Sequence, residues 1–509
     1  MVFRPILKKR IARLRRGQIA LLLSALLITT GASAIVIPSL LPFPDHTGLV
    51  ATFNTAGAID ETTPFFQSLG TNGRSCATCH LASDGFGLSA RSVRDRFVRS
   101  NGSDPLFASI DGANCPNAAP SNPADHSLLL KSGLIRVFLT LPSNSEFTIS
   151  SVHDPYGCAV VADPDTGAQI ISVYRRPLPT TNLRFLSTVM FDGRETIQPL
   201  NLAQTFQANL VTDLLHQAVD ATLTHAQAST SPSLDQQTAI VSFELGLTSA
   251  QFFDCRAGSL FDRGALGGPY NLSNQQYHPG TNDSLGHDPA GSPFNSTVFT
   301  IFQSWANATP QPGMPYSLTQ EQAEARRQIA AGELLFNTRT LTISNVRGLN
   351  DNSALGTVPI APFQGTCTTC HDTPNVGNHS FPLPLDIGTG HSSANESDPL
   401  IANGLAQLDF PDLPIYQING CTDPFAASGS TAPFVIYTTD PGKALITGKC
   451  SDVNRIKGPI LRGLASRAPY FHNGAAKDLN DVVNFYNQRF QMNLTDQEKT
   501  ELMAFLNSL

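Results

Sequence analysis

Charged side chains and tryptophan are scarce in this chain of 509 residues. Lys, Arg, Asp and Glu together make up 14% of it, Trp occurs once, and hydrophobic residues make up 41%. This composition excludes the highly charged, weakly hydrophobic class of chains that stay disordered. The 38 Gly and 36 Pro indicate a globular protein rich in loops, and the length favours two domains.

Positive charge is missing from most of the chain. Residues 1–16 carry seven basic side chains and no acidic one, and without these seven, 26 of the 33 Lys and Arg remain against 40 Asp and Glu. An acidic body of this kind lacks the basic face that contacts with phosphate require. We therefore predict no nucleic-acid partner.

The first 34 residues have the pattern of an export signal. The basic run is followed by an apolar stretch, residues 19–30, and then by the small residues 32–34, Ala-Ser-Ala, which are typical of a cleavage site. Apolar character continues to Leu41, so an uncleaved membrane anchor is the alternative. We expect a signal peptide at 1–34 and a periplasmic or secreted protein that contacts a membrane only if this segment is retained.

Nine cysteines fit an oxidising compartment. Cys115 and Cys158 bracket one irregular loop rich in Pro and Gly, and Cys421 and Cys450 bracket another. A disulfide would stabilise each loop, so we expect these two pairings. Cys255 is left over and is expected to be a buried thiol.

The other four cysteines form two copies of the pattern Cys-x-x-Cys-His. The copies are Cys76-Ala77-Thr78-Cys79-His80 and Cys367-Thr368-Thr369-Cys370-His371. Two thiols at this spacing reach both vinyl groups of one haem, and the following His then lies beneath the iron. Zinc sites and redox dithiols are the alternatives, but export and the His in both copies weigh against them. We expect two covalently attached haem c groups, with His80 and His371 as iron ligands.

Helical signals alternate with stretches that favour loops. Capping-box spacing predicts helices that begin at Thr319 and Thr495, and residues 194–248 are compatible with helix. Three stretches dense in Gly, Pro, Asn and Asp are expected to be long ordered loops with short strands at most: residues 101–170, 255–316 and 340–365.

Further segments resemble the dihaem cytochrome c peroxidase family, which includes the MauG-type enzymes. The segments that carry this resemblance are residues 73–75, 83–87, 176–179, 191–194, 457–462 and 468–474. The resemblance implies a mainly α fold with two cytochrome c-like haem lobes, long irregular loops and short strands. We place the N-terminal lobe at residues 45–315 and the C-terminal lobe at 316–509.

The chain departs from this family near the first haem. The family usually has Trp before Asp-Gly-Arg, between the two haems, whereas this chain has Phe191. Phe191 is a candidate catalytic residue, with a core aromatic as the alternative, and electron transfer through an indole is not expected. Classical members also carry a His that caps the first iron, but the first His after His80 is His126, far along a loop-like stretch. We expect the first iron to be open.

For the second haem, the resemblance implies a sixth ligand on the helix after residues 468–474. Tyr486 falls at that place, with Met492 and His379 as alternatives. A Tyr oxygen is a hard anionic ligand that favours ferric iron, whereas Met raises the reduction potential. Arg462 and His472 are expected to position haem propionates.

Peroxide cleavage needs a group that moves a proton from one oxygen to the other. In the family a Gln and a Glu after Asp-Gly-Arg do this. Gln217 matches the Gln, the Glu is missing, and His225 or Gln227 stands near its place. A histidine changes charge near neutral pH, which favours His225, with a surface position as the alternative. His216 is nine residues earlier and faces roughly the opposite side of a helix.

Together these expectations describe a dihaem c-type oxidoreductase that resembles a peroxidase. Its open N-terminal haem activates hydrogen peroxide, and its C-terminal haem transfers or stores electrons. The resemblance also implies a calcium ion between the lobes. Expected partners are hydrogen peroxide or dioxygen, and a redox protein or an organic substrate. The alternatives are a dioxygen-activating dihaem oxygenase of the rubber-oxygenase type and a non-enzymatic electron-transfer cytochrome.

Overall fold

The structure is a computed structural model that covers most of the chain. It describes residues 36–196, 206–275, 297–311, 317–351, 360–371, 384–393, 398–406, 412–423 and 433–509, with positions 295, 373, 374, 376, 408 and 410. The predicted signal segment 1–34 and the alternative ligand His379 lie outside the described residues. Over the described ranges, none of the helices combines the length and the apolar character that a membrane crossing needs.

Ten α-helices lie in the part of the chain that the structure describes. They are α1 Ala90–Ser100, α2 Ser127–Ser132, α3 Phe206–Thr224, α4 Leu234–Gly246, α5 Pro269–Ser273, α6 Gln320–Thr338, α7 Pro399–Ala402, α8 Ala444–Thr447, α9 Leu479–Arg489 and α10 Asp496–Asn507. The capping boxes predicted at Thr319 and Thr495 are both formed and begin α6 and α10. Since α3 and α4 fall within residues 194–248, the helical reading of that stretch is confirmed.

Strands are more abundant than the sequence predicts. They are β1 Val36–Ile37, β2 Phe43–Pro44, β3 Gly48–Asn54, β4 Ile59–Asp60, β5 Ile135–Thr140, β6 Thr148–His153, β7 Val160–Ala162, β8 Gln169–Arg175, β9 Leu247–Asp254, β10 Gly258–Ser259, β11 Leu341–Ile343, β12 Phe363–Gly365, β13 Ile415–Thr422 and β14 Pro433–Thr438. Of the residues that the structure describes, about 33% are helical and 19% lie in strands. The prediction of a mainly α fold is therefore wrong.

Part of the error lies in residues 101–170, which the sequence predicts to be a long ordered loop with short strands at most. They contribute β5, β6 and β7 and the start of β8. β5 and β8 pair antiparallel, with Val137 opposite Val173, and both side chains are buried. Turn-forming residues dominate the composition of this stretch, so its sequence does not predict the strands. Strand preference depends on packing against partner strands more than on the residue itself.

Two sheets show that distant parts of the chain pair directly. β6 pairs antiparallel with β13, with Ile149 opposite Ile418, and β13 pairs with β14. β3 pairs with β9, with Ala51 opposite Ala250. The first of these sheets joins residues assigned to the two predicted lobes. The main hydrophobic core likewise joins Phe302 and Trp305 to Phe505 of α10. The lobe boundary at 315/316 stays a prediction.

Both predicted disulfides are present. Cys115 bonds Cys158, and Cys421 bonds Cys450. Cys255 is a free thiol, but it is exposed, so its predicted burial is wrong. It lies just after β9, at the surface end of that sheet.

Candidate functional site

The first Cys-x-x-Cys-His motif forms one wall of a cavity. Residues Cys76–Thr78 make a 3₁₀ turn, which a capping box between Ser75 and Thr78 begins. The backbone N–H of His80 donates to the carbonyl of Cys76 at 3.1 Å. This turn brings Cys76, Cys79 and His80 to the lining of a cavity of about 160 Å³, here called the N-terminal cavity.

The His80 ring is arranged as an iron ligand requires. Its Nδ1 lies 3.2 Å from the carbonyl oxygen of Phe86, so Nδ1 donates and Nε2 keeps its lone pair. Burial lowers the pKa of His80 to about 4, an effect that the hydrogen bond to Phe86 partly offsets. The imidazole is therefore neutral at neutral pH, the state in which it binds a metal.

The second motif has the same local structure. Cys367–Thr369 form a 3₁₀ turn that a capping box between Thr366 and Thr369 begins. Cys367, Cys370 and His371 line a second cavity of about 190 Å³, here called the C-terminal cavity. Burial lowers the pKa of His371 to about 4, so this ring is also neutral.

The residues around both cavities fit a covalently held haem. The four motif cysteines form no disulfide bond. Burial raises the pKa of Cys79 to about 11 and that of Cys367 to about 12, so these are thiols and not thiolates at neutral pH. Leu, Ile, Val and Phe side chains line much of both cavities. Paired thiols, a neutral His and an apolar cavity are what haem c attachment needs.

A buried carboxylate positions His225 in the N-terminal cavity. Asp111 is 2% exposed and pairs with Nδ1 of His225, which lines the cavity. Arg74, also 2% exposed, pairs with the same carboxylate. Burial alone would raise the pKa of Asp111, but its bond to His225 and the charges of His225 and Arg74 lower it. An ionised carboxylate only accepts, so Nδ1 donates to Asp111 and Nε2 is the ring nitrogen that Asp111 does not hold.

The backbone next to Asp111 passes very close to the segment that holds Arg74. A Cβ placed on Gly112 would lie 2.0 Å from the carbonyl oxygen of Leu106 and 2.9 Å from a guanidinium nitrogen of Arg74. The Nη2 of Arg74 donates to that same Leu106 carbonyl at 2.8 Å. Only glycine fits there, and its small size lets Asp111 reach both Arg74 and His225.

The other predicted catalytic residues divide between cavity and surface. Gln217 lines the N-terminal cavity together with His225. Gln227 is exposed, and its Oε1 accepts a hydrogen bond from Asn72 at 3.2 Å. His216 is also exposed, and its Nδ1 lies 2.8 Å from Glu195. His216 and His225 therefore occupy different environments, as their spacing predicts.

A second carboxyl group lines the N-terminal cavity. Glu244 lies on α4, is 3% exposed, and its Oε2 has no hydrogen-bond partner. Burial raises its pKa to about 8, so this carboxyl is protonated at neutral pH. A protonated carboxyl in such a site can donate a hydrogen bond to an acceptor atom of a group bound in the cavity.

Two of the three predicted sixth ligands meet His371 in the C-terminal cavity. Tyr486 and Met492 both line it, and the rings of Tyr486 and His371 lie 6.4 Å apart between centroids. Burial raises the pKa of the Tyr486 phenol. An iron cation would favour the phenolate, because a nearby positive charge stabilises the ionised form. Tyr486 therefore lies in the same cavity as His371, and its role as the sixth ligand stays a prediction.

A narrow partition separates the two cavities. Residues 176–179, Phe191, Lys457 and Ile460 line both of them. The ring of Phe191 meets that of His472 edge to face at 6.0 Å, and His472 lines the C-terminal cavity. Phe191 thus lies between the two cavities, and its catalytic role stays a prediction.

Arg462 lies outside the lining of the C-terminal cavity. Its Nε and Nη2 donate to the carbonyl of Pro374 at 3.1 and 2.6 Å, and the lining of the C-terminal cavity does not include it. His472 does line the cavity, and burial lowers its pKa to about 4. Lys457 and Arg176 line both cavities, and the propionate-positioning role of Arg462 and His472 stays a prediction.

The sequence left Asp111 and Glu244 unidentified. Asp111 is 114 residues from His225, inside a stretch predicted as a loop, and no local pattern marks it. The sequence does contain a pattern that could have identified Glu244. It is the one carboxylate in the apolar run from Ala239 to Leu247. A charge within an apolar helix is costly unless it has a partner or a function.

Comparison with known proteins gives limited matches. No protein-family model matches the chain. A cytochrome-c peroxidase of Pseudomonas sp. (strain SCT) is 27% identical over 175 residues, which cover 31% of this chain and 41% of the relative. A cytochrome-c peroxidase of Denitromonas iodatirespirans is 40% identical over 153 residues, which cover 29% of this chain and 36% of the relative. The chain has distant homologues among cytochrome-c peroxidases. The match spans about two fifths of their length.

One solved structure extends over nearly the whole chain. It is a variant of a diheme peroxidase from Burkholderia thailandensis, 13% identical, and the alignment covers 94% of this chain and 95% of that one. The TM-score is 0.27, which is too low to establish a common fold.

Proposed function

We propose that the chain is a dihaem c-type peroxidase that activates hydrogen peroxide in its N-terminal cavity. The observation that carries the proposal is the Asp111–His225 pair. The buried carboxylate of Asp111 holds the imidazole of His225 in the cavity that His80 lines. The cytochrome-c peroxidase homologues support the same reaction class. Bound haem would supply the iron that binds and reduces peroxide.

The chain's own residues handle the protons. Nε2 of His225 takes a proton from the incoming peroxide and returns it to the departing oxygen, while Asp111 holds the ring and stabilises its positive charge. The His225 side chain is 34% exposed, so solvent protons and peroxide reach it. Gln217 lines the same cavity and orients the bound oxygens through its amide.

The partition residues would set the route between the two haems. Phe191 contacts His472 across the partition, and the backbone N–H of Lys457 donates to the carbonyl of Phe191 at 2.7 Å. These contacts fix the aromatic pair in one geometry. We place the electron-transfer or storage function at the C-terminal cavity, with Tyr486 as the sixth ligand, and the protein in the periplasm or outside the cell.

The first test of this function is spectroscopic. The purified ferric protein is examined by EPR and optical absorption, before and after one equivalent of hydrogen peroxide. We expect one high-spin and one low-spin haem and a rapid spectral change with peroxide, because the proposal leaves the first iron open to peroxide and gives His225, which lines the same cavity as His80, the proton-transfer role. Two low-spin haems that do not react with peroxide would contradict the proposal and favour an electron carrier.

A second prediction separates the two sixth-ligand candidates. Replacing Tyr486 by Phe is expected to change the low-spin EPR signal and raise the reduction potential of the second haem, since the loss of an anionic oxygen ligand destabilises ferric iron. The matched variant Met492→Leu removes the alternative sulfur ligand that lines the cavity and should leave the signal unchanged. The reverse pattern would assign the ligand to Met492.

A further inference from the structure

Three side chains that bind metals meet outside both cavities. The Nδ1 of His216 and one carboxylate oxygen each of Glu195 and Asp220 all lie within 4.8 Å of one another. His216 and Asp220 are four residues apart on α3, so they share one face of that helix. Glu195 comes from the segment that follows Phe191, 21 residues earlier than His216 in the chain.

Negative charge at this cluster is only partly balanced. Glu195 is 1% exposed, and the guanidinium of Arg194 lies 3.7 Å from its Oε1. That guanidinium makes shorter bonds, of 2.9 and 3.1 Å, to both carboxylate oxygens of Asp192. Burial raises the pKa of Glu195, whereas its hydrogen bond to His216 lowers it. The negative charge of Asp220 also raises the pKa of Glu195. A divalent cation would relieve both the burial cost and the repulsion between carboxylates.

We propose that Glu195, His216 and Asp220 bind a divalent first-row transition-metal ion with the preferences of Zn²⁺. One imidazole nitrogen and two carboxylate oxygens form a donor set that Zn²⁺ accepts at roughly 2.0–2.2 Å, with a fourth position left for water. Mg²⁺ and Ca²⁺ prefer sites made only of oxygen, so the His favours a transition metal.

The geometry needs only a small adjustment. Tetrahedral bonds of about 2 Å hold ligand atoms roughly 3.3 Å apart, whereas His216 Nδ1 and Glu195 Oε2 are 2.8 Å apart. The His216 side chain is 47% exposed on the helix surface and has room to move by this amount. Glu195 is held in place by its burial.

The position of the site suggests what the ion would do. His216 is followed by Gln217 and Glu195 is preceded by Arg194, and both of these neighbours line the N-terminal cavity. An ion bound here would tie α3 to the loop after Phe191 and so fix this wall of the cavity. The binding itself does not depend on the proposed peroxidase reaction.

The test is calorimetric titration of the haem-loaded protein, purified without a His tag and treated with a chelator, using ZnCl₂ as the probe. We expect one equivalent of Zn²⁺ to bind the wild type and expect His216→Ala and Asp220→Asn each to weaken that binding at least tenfold. Asp95→Asn, which changes an exposed carboxylate on α1, is the matched control and should bind like the wild type.

Two results would overturn the assignment. One is a wild type that takes up no Zn²⁺. The other is binding that is the same in the wild type, His216→Ala and Asp220→Asn. Because His216 is exposed and Asp220 lies partly exposed on the same helix, neither variant is expected to unfold the protein, and unchanged haem absorbance verifies this.

Discussion

Replacing His225 by alanine is expected to slow peroxide-dependent oxidation at least tenfold. A positioned general acid–base group contributes roughly 10²–10⁴-fold to such a step. His225 lines the N-terminal cavity and is held by Asp111, whereas His216 and Gln227 are exposed. The measurement is the initial rate of oxidation of a coloured electron donor at saturating peroxide, with haem content verified for each preparation.

Two further variants sharpen this test. His153→Ala removes an exposed histidine of β6 and should leave the rate unchanged. Asp111→Asn keeps the shape of the positioning residue but removes its charge, so we expect a slower reaction and a shifted pH–rate profile, while haem absorbance stays the same. A rate for His225→Ala that equals that of the wild type would remove His225 from the mechanism.

Replacing Arg175 by leucine is expected to lower the free energy of unfolding by about 3–5 kcal/mol, because removing one partner of a buried ion pair leaves an uncompensated charge. The Arg175 side chain is 3% exposed and lies between two buried carboxylates. It donates to Asp440 at 2.6 and 2.8 Å and pairs with Asp192 on its other side. Chemical denaturation of the haem-loaded protein measures the loss.

The pH dependence gives this prediction a second readout. Burial would raise the pKa of Asp192, but the guanidiniums of Arg175 and Arg194 lower it to about 2. A carboxyl with a lowered pKa stabilises the fold above its ordinary pKa near 4, and this contribution is lost as the pH falls towards 2. In Arg175→Leu the buried carboxyls protonate more readily, so the difference from the wild type should shrink on acidification.

The control for Arg175→Leu is Arg91→Leu, which removes an exposed guanidinium from α1. Surface substitutions of this kind change stability by roughly 0.5 kcal/mol or less. A loss for Arg175→Leu as small as that for Arg91→Leu would mean that the ion pairs of Arg175 with Asp192 and Asp440 contribute no net stability.

The calcium ion expected between the lobes stays a prediction. The carboxylates of Asp192 and Asp440 already bind Arg175.

Local patterns in the sequence predicted the features that depend on neighbouring residues. Each Cys-x-x-Cys-His motif needs five consecutive residues. Each forms a turn that brings its own two thiols and its His to the lining of its own cavity. The capping boxes at Thr319 and Thr495 satisfy the first N–H groups of their helices with side chains three residues apart. The disulfides followed from cysteines that flank single loops.

Features built by distant residues were decided by the tertiary structure. Within residues 101–170, strand β6 pairs with β13, which lies far along the chain, and a pairing of this kind is part of the reason that the prediction of a mainly α fold is wrong. Arg462 matched a motif but turned towards Pro374, since a motif does not fix the direction of a long side chain.

The sequence by itself determined where the two Cys-x-x-Cys-His turns form, which cysteines pair and where the capped helices begin, because each of these depends on chemistry within a few positions or within one loop. Only the tertiary structure decided that Asp111 holds His225, that Phe191 separates the cavities and that Glu195 meets His216 and Asp220. Those contacts join residues as far as 114 positions apart, and their geometry is fixed by packing, which no local pattern records.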